Sequence, residues 1–335
     1  MSGEAKGRYA VVLALLAAAV AVLFVLSLVT GPAGAGLLPS LAALFSGDDG
    51  ALSLVMREIR LPRAILGLMV GATLGLSGAV LQGYLRNPLA EPGLLGVSAS
   101  ASLGAVLALY SGISAAFPLA LPVAALAGAF AAVTVVRAMA GAGGGTLTII
   151  LAGIAVSAFS GAMTSLALNL SPNPFAAMEI VFWMLGSLSD RSMVHLWLSA
   201  PFMLAGWAML FSLARPLDAL TLGADAAASL GFDMRRVRFL AVFGTAACVG
   251  AATAVAGAIG FVGLVVPHVL RPLVGAVPSR LLPASALGGA AVLLAADVLV
   301  RVVAPDRDLK LGVLTALVGA PFFLWLVWRT RRTMS

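Results

Sequence analysis

Charge is what this sequence has least of. Only 10% of its 335 residues are Asp, Glu, Lys or Arg, while 61% are hydrophobic. A soluble domain carries roughly a quarter charged residues, so this chain could not cover a water-facing surface. Lysine is nearly absent: Lys6 and Lys310 follow Ala5 and Leu309. A phosphate-binding loop ending in Gly-Lys is therefore excluded, and with it ATP hydrolysis by that route. Cys248 is the single cysteine, so no internal disulfide can form. It lies in an apolar run and reads as a small packing residue. The only histidines are His195 and His268, and no His/Cys/Glu cluster has the spacing of a metal site. No zinc-helix pair and no serine elbow occurs. No metal, no cofactor and no catalytic residue is expected, and the chain is not read as an enzyme.

What is present is long apolar runs. They fall at about 9–30, 61–84, 94–113, 118–140, 147–170, 193–213, 239–260, 261–277, 281–303 and 311–328. A helix that crosses a bilayer needs about 20 such residues. The runs are continuous rather than alternating, which argues against strands. The expected fold is all-α: a polytopic membrane protein of about ten transmembrane helices, forming one transmembrane domain over residues 1–335. The eighth run contains Pro267 and Pro272 and should be broken or tilted. Lys6 and Arg8 followed by Ala10–Val29 resemble a signal peptide, but the stretch is too long and no cleavage site follows. It is read as a retained first helix.

The net charge of +7 would suggest nucleic acid in a soluble chain. Here membrane topology accounts for it, because basic residues collect in cytoplasmic loops, and no nucleic-acid partner is expected. With both termini cytoplasmic, thirteen of the twenty basic residues lie inside. The outer side keeps Arg57, Arg60, Arg63, Arg191, Arg301, Arg307 and Lys310. Arg60, Arg63 and Arg301 form a basic group there, either as a rim that receives acidic residues of a partner or as partners of lipid, Glu58 and Asp297. Asp297 lies within the ninth run, where a charge is costly unless paired or functional, and Arg301 is four residues on.

Three stretches stand out. Gln82 to Gly96 (Gln-Gly-Tyr-Leu-Arg-Asn-Pro-Leu-Ala-Glu-Pro-Gly-Leu-Leu-Gly) sits between two runs, with Pro88 and Pro92 bracketing Glu91. It is a tight turn or a re-entrant one. Arg215 to Arg238 is the longest polar stretch. Asp225–Leu230 can form a short helix ended by Gly231 in the left-handed conformation, and a second short helix can start after Asp233 as its N-cap. Together they would make a docking knob for a partner. Gly257 to Arg271 allows a break between the seventh and eighth runs. In the second run Gly67, Gly71, Gly75, Ala79 and Gly83 share a helix face, which fits close helix packing or a mobile pore-lining helix.

Taken together these stretches resemble the FecCD-type permeases of type II ABC importers. The matching residues, in family order, are Leu61-Pro62-Arg63, Gly78–Gln82, Asn87–Gly96, Gly257–Arg271, Leu282-Pro283, Ala296-Asp297 and Gly312–Phe323. The resemblance covers nearly the whole chain. It implies a homodimer in the cell inner membrane with the pathway at its interface. It also implies two copies of a cytoplasmic ATPase subunit and a periplasmic substrate-binding protein. The cargo would be an iron-siderophore, with vitamin B12 or haem as alternatives. Residues 215–238 would be the coupling loop, with Asp225, Ser229, Leu230, Gly231, Arg235 and Arg236 at the ATPase. Thr146 and Leu147 match a cytoplasmic gate, Asn87 and Leu89 a second constriction. Arg60, Arg63 and Arg301 match arginines that meet glutamates of the binding protein. In place of residues usual in the family stand Lys310 for a proline and Ser100-Ala101 for Gly-Ala. An ion-driven secondary transporter is the rival class. The scarcity of intramembrane acids and the knob-like loop argue against it.

Overall fold

The computed structural model describes residues 3–31, 36–46, 50–117, 119–141, 145–171, 174–304 and 309–334. Arg307 lies outside these residues, as do the side chains of Lys6, Thr146, Arg329, Arg331 and Arg332. Every described element is helical. The chain opens with α1 (Gly3–Val29), α2 (Leu37–Phe45) and α3 (Ala51–Leu54). A π-helical stretch, Val55–Arg60, then leads without a break into α4 (Leu61–Tyr84). After a 3₁₀ turn at Pro92–Leu95 come α5 (Val97–Tyr110), α6 (Ile113–Ala116), α7 (Ala120–Ala140), α8 (Thr146–Asn169) and α9 (Pro174–Met184). The second half holds α10 (Met193–Phe211), α11 (Ala214–Leu220), α12 (Ala224–Ser229), α13 (Met234–Ala256), α14 (Val262–Leu270), α15 (Pro278–Val303) and α16 (Leu311–Met334).

Eight helices among the described residues are long and apolar enough to cross a membrane. The other two expected spans are present as shorter helices, α5 with 14 residues and α14 with 9. At 1.5 Å per residue they reach about 21 and 14 Å, less than the roughly 30 Å of a hydrocarbon core. Backbone geometry shortens both. Gly96 (φ 74°) precedes α5 and Phe261 (φ 68°) precedes α14, each in the left-handed region. Helix α9 matches none of the ten expected runs. Pro174 opens it, and its eleven residues are too few for a span.

Helix α4 is the centre of the molecule. Of its most apolar window 89% is buried, against 17% for α1 and 22% for α16. Lipid tails are as apolar as leucine, so helices in a bilayer associate by close packing rather than by a hydrophobic drive. The glycine row on α4 supplies it. Gly71 and Gly75 lie against the backbone of Gly289 and Ser285 on α15, and Gly78 against Gly263 on α14. Any β-carbon at these three positions would collide with a carbonyl. The row is therefore a packing face, not a pore face. Elsewhere α5 packs on α7 and α10 on α13. Cys248 of α13 is buried beside Gly206 of α10, as a packing residue should be. Ser100 bonds Ser160 of α8 through their hydroxyls at 2.8 Å. This clasp between α5 and α8 is one that a glycine could not make.

Candidate functional site

The polar turn after α4 folds back into the membrane layer. A β-carbon on Gly263 would meet both Pro92 and the carbonyl of Leu74, and Leu74 is ten residues, about 15 Å, before the end of α4. The turn is thus re-entrant, which irregular backbone tolerates only when surrounded by protein. Two side chains fix it. Glu91 Oε1 accepts the backbone N–H of Phe261 at 2.9 Å, so a carboxylate meets the positive end of α14. Gln82 is buried, and its Nε2 donates to the carbonyls of Gly263 (3.4 Å) and Leu264 (3.2 Å). Its Oε1 accepts from Arg271 Nη2 at 2.8 Å. Two stretches about 170 residues apart thereby become one unit, with Glu91, Pro92, Gly93 and Gly260 around a cavity of about 140 Å³. No role had been assigned to Gln82 or Glu91. The signal was available as two polar side chains, one before the proline-bracketed turn and one inside it.

Of the residues matched to gates, Asn87 is exposed and its Oδ1 accepts the N–H of Leu89 at 2.9 Å, a local turn lock. Leu89 is half-buried. Thr146 opens α8 and Leu147 follows, 68% exposed. A band of apolar side chains continues from Leu147 along α8, through Leu151, Ile154 and Phe159, all exposed.

The stretch 215–238 forms a knob, with more helix than expected at its start. Helix α11 covers Ala214–Leu220 and is tied down by Asp218, whose Oδ1 accepts the N–H of Ser279 at the start of α15 (2.8 Å). The short helix appears as α12, followed by Gly231 at φ 89° with its N–H on Ala228 O. Asp233 caps the next helix by accepting from Arg235 N at 2.8 Å. That helix is not short; it is the beginning of the 23-residue span α13, because the apolar period continues past Arg238. Asp225, Ser229, Arg235 and Arg236 are exposed, and so are Leu222 (71%) and Leu230 (62%).

The arginines expected at the outer end turn inward, toward the protein. Asp297 is 1% exposed and takes two guanidinium groups. Arg63 approaches it with Nε at 2.9 and 3.2 Å and Nη2 at 2.8 Å, and Arg301 with Nη2 at 2.7 Å. Arg301 also donates to the carbonyls of Ser27 (2.9 Å) and Thr30 (2.8 Å) and to Ser27 Oγ (2.7 Å). Arg60, 4% exposed, donates to the carbonyls of Leu28 (3.0 Å) and Val29 (3.2 Å). The last carbonyls of a helix lack internal partners and carry partial negative charge. Here Arg60 and Arg301 satisfy those of α1. Three elements distant in sequence are thus joined by one carboxylate and three guanidinium groups.

Comparison with known proteins agrees with this architecture. The sequence model of the FecCD transport family matches residues 19–329. The chain is 36% identical over 321 residues to the hemin transport system permease protein HmuU of Yersinia pestis, covering 88% of this chain and 93% of that one. It is 40% identical over 287 residues to the cobalamin import system permease protein BtuC of Halobacterium salinarum, covering 85% and 76%. A solved ABC transporter described as of metal-chelate type, in an inward-facing conformation, superposes with a TM-score of 0.84 at 33% identity, over 95% of this chain and 98% of that one. With its helical fold and its order of motifs matched across nearly its whole length, the chain belongs to the FecCD transport family and is a multi-pass membrane permease.

Proposed function

We propose that this permease is the membrane subunit of a type II ABC importer that moves an iron-siderophore or related metal chelate across the cell inner membrane. The observation that carries the reading is the family match over residues 19–329 together with the whole-chain likeness to a transporter of metal-chelate type. Relatives named for hemin and for cobalamin are about equally similar, so those two cargoes are the alternatives. The functional unit is a homodimer, and the apolar band of α8 supports an interface or pathway there. Both termini are cytoplasmic, in keeping with the basic bias of the segments on that side.

Two copies of an ATPase subunit dock on the knob. Leu222 and Leu230, exposed beside Asp225, Ser229 and Arg236, give it the apolar centre and polar rim of a protein interface. Gly231 sets its angle. Thr146 and Leu147, with Asn87 and Leu89, close the pathway on the cytoplasmic side. A periplasmic binding protein docks at the other end. There Arg63, 16% exposed, keeps its Nη1 free to meet a partner carboxylate, while Arg301, 12% exposed, has all its N–H donors committed inside the chain and contributes positive charge. Arg60 acts from behind, by holding the end of α1. The test is reconstitution in proteoliposomes with the ATPase and the binding protein. ATP-dependent uptake of an iron-siderophore is expected only when all three are present. Uptake driven by an ion gradient without the ATPase would sink the proposal.

A further inference from the structure

At the end of the molecule that carries the knob, three arginines surround a second cavity. It has a volume of about 230 Å³ and is lined by Arg137 of α7, Arg235 and Arg238 of α13, and the apolar Ile149, Phe239 and Phe243. No carboxylate lines it. Among the described residues none of the three arginines takes part in an ion pair, and Arg238 Nε is buried without a hydrogen-bond partner. The nearest acid along the chain, Asp233, is occupied as the cap of α13. Arg137 is held in place by the stacked pair Phe239 and Phe243, 5.9 and 5.7 Å from the ring centres. Arg235 and Arg238 lie in the first two turns of α13, where the helix dipole already presents positive charge. Asp233 offsets the helix end, but the three guanidinium groups themselves share one hollow with no carboxylate lining it, an arrangement that an entering anion would stabilise.

We propose that this pocket binds the phosphate headgroup of an anionic phospholipid. Its depth selects that anion. The arginines stand in the last turn of α7 and the first turns of α13, and both helices continue from there as apolar spans. That is the level at which headgroups meet acyl chains, and basic pockets between helices there suit phosphate headgroups. Guanidinium groups bind phosphate oxygens in a two-pronged manner. An apolar groove of about 1120 Å³, bordered by Leu107, Val135, Met139, Val156 and Phe159, runs along α7 and α8, the helices that also supply Arg137 and Ile149. It shares no lining residue with the arginine pocket and shows only that the same two helices also carry an apolar surface. An acidic residue of the ATPase is the competing occupant, but the exposed leucines of the knob, Leu222 and Leu230, lie outside this pocket.

The experiment uses the full chain in nanodiscs of phosphatidylcholine doped with phosphatidylglycerol, followed by native mass spectrometry of retained lipid. Wild type should retain phosphatidylglycerol at least tenfold over phosphatidylcholine. Arg137→Gln with Arg238→Gln should abolish that preference, and Arg86→Gln, an exposed arginine elsewhere, should keep it. Because the double variant could fail to fold, the wild-type lipid preference is read on its own: no preference overturns the proposal. Displacement of the lipid by millimolar inorganic phosphate would assign the pocket to a free anion instead. Unchanged lipid retention by the double variant, with loss of ATPase binding, would assign it to the ATPase. Neither outcome bears on the transport reading.

Discussion

The two ends of the molecule use arginine in opposite ways. At the end of α1, Arg60, Arg63 and Arg301 find partners inside the protein: one carboxylate, one hydroxyl and five backbone carbonyls, with only Arg60 Nη2 buried without one. At the other end Arg137, Arg235 and Arg238 share a hollow without an acid. A guanidinium near hydrocarbon must be neutralised by something. The comparison shows that residue type does not decide by what. The first group is a structural joint that holds α1 to α4 and α15. The second has no carboxylate partner among the described residues.

Breaking the joint should have the largest effect. Asp297→Ala leaves two guanidinium groups without their charge partner, and breaking a buried pair from one side costs about 3–5 kcal/mol. We expect a large loss of folded protein by detergent size-exclusion and thermal unfolding. Stability close to wild type would mean that the carboxylate is dispensable there. Close behind comes the glycine face beneath that joint. Gly75→Leu drives a side chain into the Ser285 carbonyl and should separate α4 from α15, costing several kcal/mol by overpacking and backbone displacement. Gly93→Ala, which meets open space, is the matched control and should stay within about 0.5 kcal/mol.

Smaller effects sharpen the contrast at the inner end. Gly231→Val strains a left-handed position on the exposed knob, so insertion and stability should persist while uptake per ATP falls several-fold. A normal ratio of uptake to hydrolysis would deny the knob its coupling role. Smallest is Arg63→Lys. Lysine keeps the charge of the outer joint but loses the two-pronged contact with Asp297, and should lower the unfolding midpoint by a few degrees, about 1 kcal/mol. An equal loss of binding-protein affinity at low salt would add docking to its structural duty.

Much of this was legible in the sequence because membrane helices announce themselves by length and composition. The long runs appear as helices, Gly231 and Asp233 take the backbone roles their residue types predict, and Asp297 pairs with Arg301 four residues on. Less legible was whatever depends on contacts between distant segments. The bond from Arg63 to Asp297 spans 234 positions, and nothing local distinguishes an arginine turned inward from one turned out. Glu91 and Gln82 could be read as turn residues but not as the clamp on α14. A break in the eighth run was expected from Pro267 and Pro272, but the shortness of α5 was hidden for a related reason. Hydropathy records apolar residues, not the left-handed backbone at Gly96 and Phe261 that makes a helix start late. The binding assignments for the gate, the knob and the rim rest on resemblance, and the structure contributes their placement and exposure.

The π-helical stretch at Val55–Arg60 has a consequence for how this region can change. Each of its hydrogen bonds spans five residues instead of four, as in Leu61 N–H to Met56 O, so the segment carries surplus chain relative to an α-helix. One residue corresponds to a rotation of about 100° around the helix axis. Loss of a single residue between 55 and 60 would leave a continuous helix, yet turn everything before it by that angle. Arg57, which now reaches the carbonyls of Leu44 and Ser46, would swing off the α2 end, while Arg63 beyond the stretch kept its aim. The stretch works as an indexing gear, setting the azimuth of the outer cap separately from that of the central helix.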